Sequence, residues 1–333
     1  MPAHQKALFL IKKHGNWEVR TSGVLTPGPG QLLVKVGIQV RGILVQDYPA
    51  ILGVDASGTV EVFDEGDVDF AVGNLVLFEG SFINGKGTFQ QYTLAEAVVT
   101  AKIASNITFD QAASLATAAL ALFGQGSAGF LPPWKEIGRA KFAAIQFAKL
   151  SVFAPIITTA SPSNAPYLHT LGTPHILPRT LAPSALLPEI THLTSGAPVE
   201  IVFLTVQLPS LELPVPVLAP GGTLATVWPV IDGAKRAAAP GKKVASVYGS
   251  ATTEGTGKTG HSLHKSLPRL LESGELKPSR VENLADGLKG IAAGLKRMEK
   301  GEVSGVKLVV YTRCRSTTYY MSDWNVIARA KVC

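Results

Sequence analysis

Three segments, EIVFLTV at 200–206, GTLATVW at 222–228 and KVASVYG at 243–249, are near-continuous apolar runs of strand length, separated by glycine, proline and polar breaks. A strand with one wet face alternates polar and apolar side chains, so unbroken runs require cover on both faces. That requirement is met by a parallel sheet of the doubly wound α/β type. The preceding text fits: AAIQFAKL reads as a helix, APIITTA as a strand, residues 165–171 as a helix and HILP as a short strand. After the runs comes a charged amphipathic helical region at 266–300, and then the strand VKLVVYT.

The first third of the chain follows a different rule. From Gln31 to Val99 it reads as short strands punctuated by Gly53, Gly58, Gly73, Gly80 and Gly87, as tight β-corners require, which predicts a barrel-like or sandwich-like half. Near Thr108 the period changes to helical in FDQAASLATAALALF, with Thr108 or Asp110 as its cap. There is no internal repeat.

Composition excludes several classes. At 333 residues, 46% hydrophobic and 17% charged, the chain has apolar material for about two cores, and disorder is excluded as its main state. The net charge of +7 carries no aromatic-interleaved basic stripe, and part of it sits in the tail, where Arg313, Arg315, Arg329 and Lys331 face one acid, Asp323. Nucleic acid is therefore not the expected partner. Both cysteines, Cys314 and Cys333, also lie in that tail, so the body has neither a disulfide framework nor a thiolate metal site. The N-terminal apolar run is too short for a secretory leader, and glycines with Pro132-Pro133 interrupt the uncharged stretch 111–134. The expectation is a cytoplasmic protein without a membrane span.

The order of segments resembles the medium-chain dehydrogenase/reductase superfamily. The residues that carry the resemblance are PAILGVDASGTV (Pro49–Val60), FAVGNLVLF (Phe70–Phe78), GTFQQYTL, FDQAASLATAALALF, LAPGGTLATV and GEVSGVKLVV, six segments in the family's order over about Lys6 to Val310. Within it the chain is most similar to zinc-free enoyl reductases and quinone-reductase-like members, especially the fungal trans-acting enoyl reductases. The resemblance implies an α/β chain in which an N-terminal GroES-like β-barrel catalytic domain, residues 1–130 completed by 266–312, joins a doubly wound Rossmann-like cofactor domain at 131–265. Residues 313–333 form an atypical tail. It also implies NADPH-dependent, zinc-independent reduction of an activated double bond in a small-molecule substrate, and a possible homodimer.

Three departures qualify that picture: the dinucleotide fingerprint, an Asn-Pro-x-Asp turn, and the tail after Tyr311, which reads as sequence unrelated to the fold. Where zinc-dependent members carry Gly-His-Glu, this chain has Gly53, Val54 and Asp55, so a supporting imidazole is missing. His261 and His264, one helical turn apart, could share a face as ligands or simply lie on a solvated helix. The dinucleotide fingerprint expected on a strand-turn-helix ahead of AAIQFAKL is replaced by Lys141, Phe142 and Ala143, so the first sheet strand and its glycine loop read as missing. GQGSAG at 124–129 has the letters of G-x-G-x-x-G but precedes Leu131-Pro132-Pro133, which cannot open a long helix, and GTGKT at 255–259 has Thr252 where a phosphate loop needs glycine. The Asn-Pro-x-Asp turn of relatives is also absent after LVKV.

What remains of a cofactor site is TTASPSN, with Ser161, Ser163 and Asn164 where NAD-preferring proteins carry an acid, and Arg179 after HILP, a guanidinium suited to phosphate. By resemblance alone, Val303 and Ser304 occupy the cofactor-proximal turn and Thr117 the active-site helix. Tyr92, Thr117 and Asp55 resemble cleft positions, and no residue stands out as the general acid. The expectation is weak NADP binding without zinc; the alternative is a family member that keeps the fold but has lost competent cofactor binding.

Overall fold

The computed structural model describes residues 2–40, 47–63, 69–81, 85–115, 144–205, 214–226, 240–246, 250–251, 256–312, 315–320 and 327–332. They fall into two compact units, one of residues 1–116 and 278–333 and the other of 117–277.

The first unit is built on β1 (His4–Leu10), β2 (Trp17–Gly23), β3 (Gln31–Val40), β4 (Ala50–Ile51), β5 (Asp55–Phe63), β6 (Leu75–Glu79), β7 (Tyr92–Glu96) and β8 (Thr100–Lys102). Five of them form an antiparallel sheet in the order β7-β3-β5-β6-β8, and β2-β1-β4 form a second. Strand β3 lies inside the sheet, paired on both sides by β5 and β7, and both its faces are apolar. Leu32, Val34 and Val36 pack with Ala56, Val60, Val76 and Phe78, while Leu33 packs on the other side with Tyr92 and Leu94. Bulges at Leu33/Val34 and Val36/Ile38 bend it against β5. Gly58 sits at this crossing, where a β-carbon would come within 2.4 Å of Val34 Cγ1 and 2.5 Å of the Lys35 carbonyl oxygen. A barrel was the expectation for this half; among the described residues β7 and β8 remain the two edges of the sheet, and no pairing closes it.

Helix α1 (Phe109–Ala113) opens with a capping box in which Thr108 Oγ1 accepts from Gln111 N–H and the Gln111 side chain accepts from Thr108 N–H. Thr108, rather than Asp110, is therefore the cap. The helical segment stops early, with Ser114 as C-cap, and the chain from 116 to 143 lies outside the described residues.

The second unit contains α2 (Ala144–Leu150), β9 (Ile157–Ala160), α3 (Ala165–Leu171), β10 (His175–Pro178), α4 (Pro183–Leu193), β11 (Val199–Leu204), α5 (Pro214–Val217), β12 (Leu218–Thr226), β13 (Lys243–Ser246) and α6 (Gly257–Glu272). All of its described strand pairs are parallel, β10 with β9 and β11-β12-β13 in a second ladder, as apolar runs with helical connections require. Helix α6 buries Leu263, Leu267, Leu270 and Leu271. It also buries His264, 3% exposed with Nδ1 2.9 Å from the Gly260 carbonyl oxygen, whereas His261 is exposed. The two histidines therefore do not share a solvated or metal-binding face: the i, i+3 offset straddles the edge of the apolar stripe.

The chain then returns to the first unit with β14 (Val281–Leu284), α7 (Gly290–Glu299) and β15 (Lys307–Val310), and β14 pairs in parallel with β15. The stretch 266–300, expected to be helical, is thus two helices divided by a strand. VENL is too short and polar to announce itself, and only its partner β15 is apolar. The tail carries an antiparallel hairpin, β16 (Arg315–Tyr320) with β17 (Ile327–Val332). Among the described residues no helix is long and apolar enough to cross a membrane.

Candidate functional site

In the second unit, β9 and β10 run parallel with Ile157 opposite His175 and Ala160 opposite Pro178. The next residue continues the ladder, Arg179 N–H donating to the Ala160 carbonyl at 3.0 Å. Ser161 and Arg179 therefore emerge side by side from the carboxyl ends of neighbouring parallel strands, the edge where open α/β sheets take ligands. Ser161 then starts a 3-10 turn over Pro162–Asn164, held by Asn164 N–H to the Ser161 carbonyl at 2.9 Å. Proline at the first position fixes the turn, because it needs no donor there. Ser163 and Arg179 are exposed, Ser161 and Asn164 half-buried. The structure thus brings together four residues singled out from sequence: two hydroxyls, an amide and a guanidinium, with no carboxylate among them.

The remaining expected positions fare differently. Val303, half-buried, and exposed Ser304 lie on the first unit, in the turn between α7 and β15. Thr117 lies outside the described residues, as do Lys141, Phe142, Ala143 and the GQGSAG segment. Tyr92 is not a cleft residue: it is 4% exposed and packs with Leu33 and Leu94 in the core of the first unit. Strand alternation places its ring inward, a consequence that the motif letters do not reveal.

Asp55, at the start of β5, is engaged by a lysine that sequence reading passed over. Lys307 Nζ lies 2.7 Å from Asp55 Oδ2, with only 15% and 13% of the two side chains exposed. The ammonium also reaches the Ser114 carbonyl at 3.5 Å. A signal did exist, a lone lysine opening the apolar strand KLVV, but its partner is 252 residues away in sequence. Asp110 on α1 is likewise held from the returning chain, by Asn283 Nδ2 at 2.9 Å and by the Tyr311 hydroxyl. Among the described residues no three His, Cys, Asp or Glu are placed to hold a metal.

No family model matches the chain. Curated relatives do. A protein named dehydrogenase pigH from Monascus ruber is 29% identical over 52% of this chain and 56% of its own length. A zinc-type alcohol dehydrogenase-like protein of Staphylococcus epidermidis is 32% identical over 33% of this chain and 35% of its own. Trans-enoyl reductase RAP2 of Pyricularia oryzae is 24% identical over 93% of this chain and 99% of its own. Thus the chain matches about half and a third of the first two relatives, and nearly all of the third. Among solved structures, an alcohol dehydrogenase superfamily protein from Novosphingobium aromaticivorans superposes with a TM-score of 0.73 at 22% identity, covering 93% of this chain and 100% of that one.

The chain is similar to proteins named dehydrogenase and trans-enoyl reductase, and it has the fold of an alcohol dehydrogenase superfamily protein.

Proposed function

We propose that this protein is a zinc-independent, NADPH-using reductase of an activated double bond, in an enone or an enoyl thioester. The observation that carries the reading is the convergence of Ser161, Ser163, Asn164 and Arg179 at the carboxyl ends of β9 and β10. The set fits the adenosine end of the cofactor: hydroxyls and an amide can bond the ribose, and the guanidinium suits a 2′-phosphate. When bound, the dinucleotide supplies hydride; the chain's part is to hold and orient it and to shape the substrate pocket. We assign cofactor binding to the second unit; through the family resemblance, Val303 and Ser304 match a cofactor-proximal turn and Thr117 an active-site helix.

The environment of Asp55 supports zinc independence. Its carboxylate is compensated by the Lys307 ammonium, and a dication placed there would meet a resident positive charge. Val54 offers no ligand beside it.

A second reading, a member impaired in cofactor binding, is favoured by the sequence ahead of α2. In the doubly wound order 3-2-1-4-5-6, strand 1 lies between strands 2 and 4. The described strands of the second unit form two ladders, β10-β9 and β11-β12-β13, which match 3-2 and 4-5-6. Strand 1 would lead into the pyrophosphate-binding turn, where the sequence offers Lys141, Phe142 and Ala143. We therefore expect binding weaker than a complete fingerprint gives. Titrating the purified chain with NADPH and NADH, followed by fluorescence, and then assaying reduction of a 2-enone separates the two readings. Binding with turnover supports the reductase, and a folded protein that binds neither nucleotide supports the impaired member.

A further inference from the structure

We propose that Lys307 is a positioning residue, whose pairing with Asp55 fixes the path on which the chain leaves the first unit after Ser114 and re-enters it at Ser279. The catalytic consequence rests on the reductase reading above; the structural consequence does not.

The chain leaves this unit after Ala116 and returns at Pro278. Ser114 stands two residues before the exit and Ser279 one residue after the return, and they are bonded to each other: the Ser114 hydroxyl accepts from Ser279 N–H at 3.0 Å and donates to the Gln111 carbonyl at 2.7 Å. One hydroxyl therefore ties the departing strand to the arriving one and both to the last turn of α1. Lys307 grips the same two segments. Its backbone N–H donates to the Arg280 carbonyl at 2.8 Å, and its ammonium reaches from Asp55 to the Ser114 carbonyl. Arg280 Nε closes the bracket on the Gly305 carbonyl at 3.1 Å.

A buried ion pair is weak evidence for stability, because replacement by apolar groups of similar volume is often neutral. Its energetic signature is geometric instead: the ammonium has few places in which its charge is compensated, so the groups around it are held in register. Ion pairs elsewhere in the molecule are more exposed, Lys86–Glu96 for example at 30% and 27%. The bracket also spans residues 55, 114, 279 and 307, which no local secondary structure would hold together.

The test uses the whole chain and the variants Lys307→Met, Lys307→Arg and Asp55→Asn, read by amide hydrogen exchange, NADPH affinity and reduction of a 2-enone. In Lys307→Met, exchange at Ser279 and Arg280 rises by about tenfold or more over that of β3 and β5, and arginine restores it. NADPH affinity stays within about twofold while kcat falls by about ten- to hundredfold, because a misplaced reaction geometry costs rate without weakening a distant contact. Asp55→Asn, which removes the charge and keeps the shape, raises exchange at Ser279 and Arg280 in the same way and decides the matter if Lys307→Met does not fold. Exchange that rises uniformly across the unit, or not at all, in both variants overturns the proposal. An unmodified chain that neither binds NADPH nor reduces the enone overturns the reductase reading, and the exchange pattern alone then decides this one.

Discussion

Thr88 lies directly against the α-carbon of Gly53: a β-carbon on residue 53 would stand 2.3 Å from Thr88 Oγ1 and 2.5 Å from Phe89 Cδ1. Gly53 also has φ +96°, in the region open to glycine. Main-chain bonds lock the approach, Thr88 N–H to the Gly53 carbonyl at 3.1 Å and Phe89 N–H to the Leu52 carbonyl at 2.8 Å. Gly53→Ala should therefore destabilise the first unit by more than about 2 kcal/mol, from strain and overlap together. Thr88 Oγ1 is buried and makes no hydrogen bond among the described residues. Thr88→Val should be neutral or stabilising by up to about 1 kcal/mol, since it removes an unsatisfied hydroxyl. Urea unfolding of both variants checks the pair; a clear loss in Thr88→Val would reveal a partner for that hydroxyl.

Val152 should be the easiest position at which to gain stability. Helix α2 ends in a Schellman motif, with Val152 N–H on the Lys149 carbonyl and Phe153 N–H on the Ala148 carbonyl, both at 3.0 Å. The left-handed position of that motif, φ +58°, is filled by a β-branched residue that is 86% exposed. At the end of α7 the same motif has Gly301 at φ +72°. Val152→Gly relieves strain of roughly 1–2 kcal/mol, partly offset by the freer unfolded chain, for a net gain of about 1 kcal/mol. A lowered urea midpoint in Val152→Gly would sink this account.

These two sites mark how far the sequence could be read. Apolar runs such as EIVFL announced the parallel strands, and HILP and residues 165–171 coincide with β10 and α3, because hydrophobic period and proline punctuation are local signals. The convergence of Ser161 and Arg179 was readable for the same reason, each following a recognisable strand. β14 and the Asp55–Lys307 pair were not, since both depend on partners brought from far along the chain. Tyr92 misled because a motif letter does not say which face of the strand it occupies.

The Glu282–Arg297 pair gives a pH signature. Arg297 donates to both carboxylate oxygens of Glu282, at 2.5 and 3.3 Å. These bonds chiefly hold the Glu282 carboxyl below its ordinary range; burial opposes them, and the attraction of the Arg297 charge adds a smaller lowering effect. A carboxyl whose folded pKa is depressed contributes stability above its unfolded pKa and loses it as pH falls through the folded value. Stability should therefore decline on acidification below the normal glutamate range, and Glu282→Gln should reduce that slope. Both side chains are over a third exposed, so the contribution is small and should shrink further in high salt. Urea midpoints between neutral pH and about pH 3, in low and high salt, test the sign.

Zinc content offers an independent check on Asp55. With its carboxylate on Lys307 and valine beside it, dialysed protein should hold far less than stoichiometric zinc by elemental analysis. Tightly held zinc at one ion per chain would overturn zinc independence and would align the protein with its zinc-type relatives.

Arg179 is the residue on which nucleotide preference should turn. It leaves β10 immediately beside the point where β9 passes into Ser161, and the loop presents no acid that would repel a 2′-phosphate. A charge-assisted bond to phosphate contributes about 1.5–3 kcal/mol, which is roughly tenfold or more in affinity. NADPH should therefore bind more tightly than NADH, even where the pyrophosphate is poorly held, since the two ends of the dinucleotide are separate contacts. Arg179→Ala should weaken NADPH while leaving NADH nearly unchanged, and Arg179→Lys should recover only part of the preference, a point charge replacing a planar fork. The preference should also shrink with added salt, as Arg179 is exposed. Fluorescence titration of both nucleotides against the three proteins decides it: equal affinities in the unmodified chain would make Arg179 an ordinary surface residue.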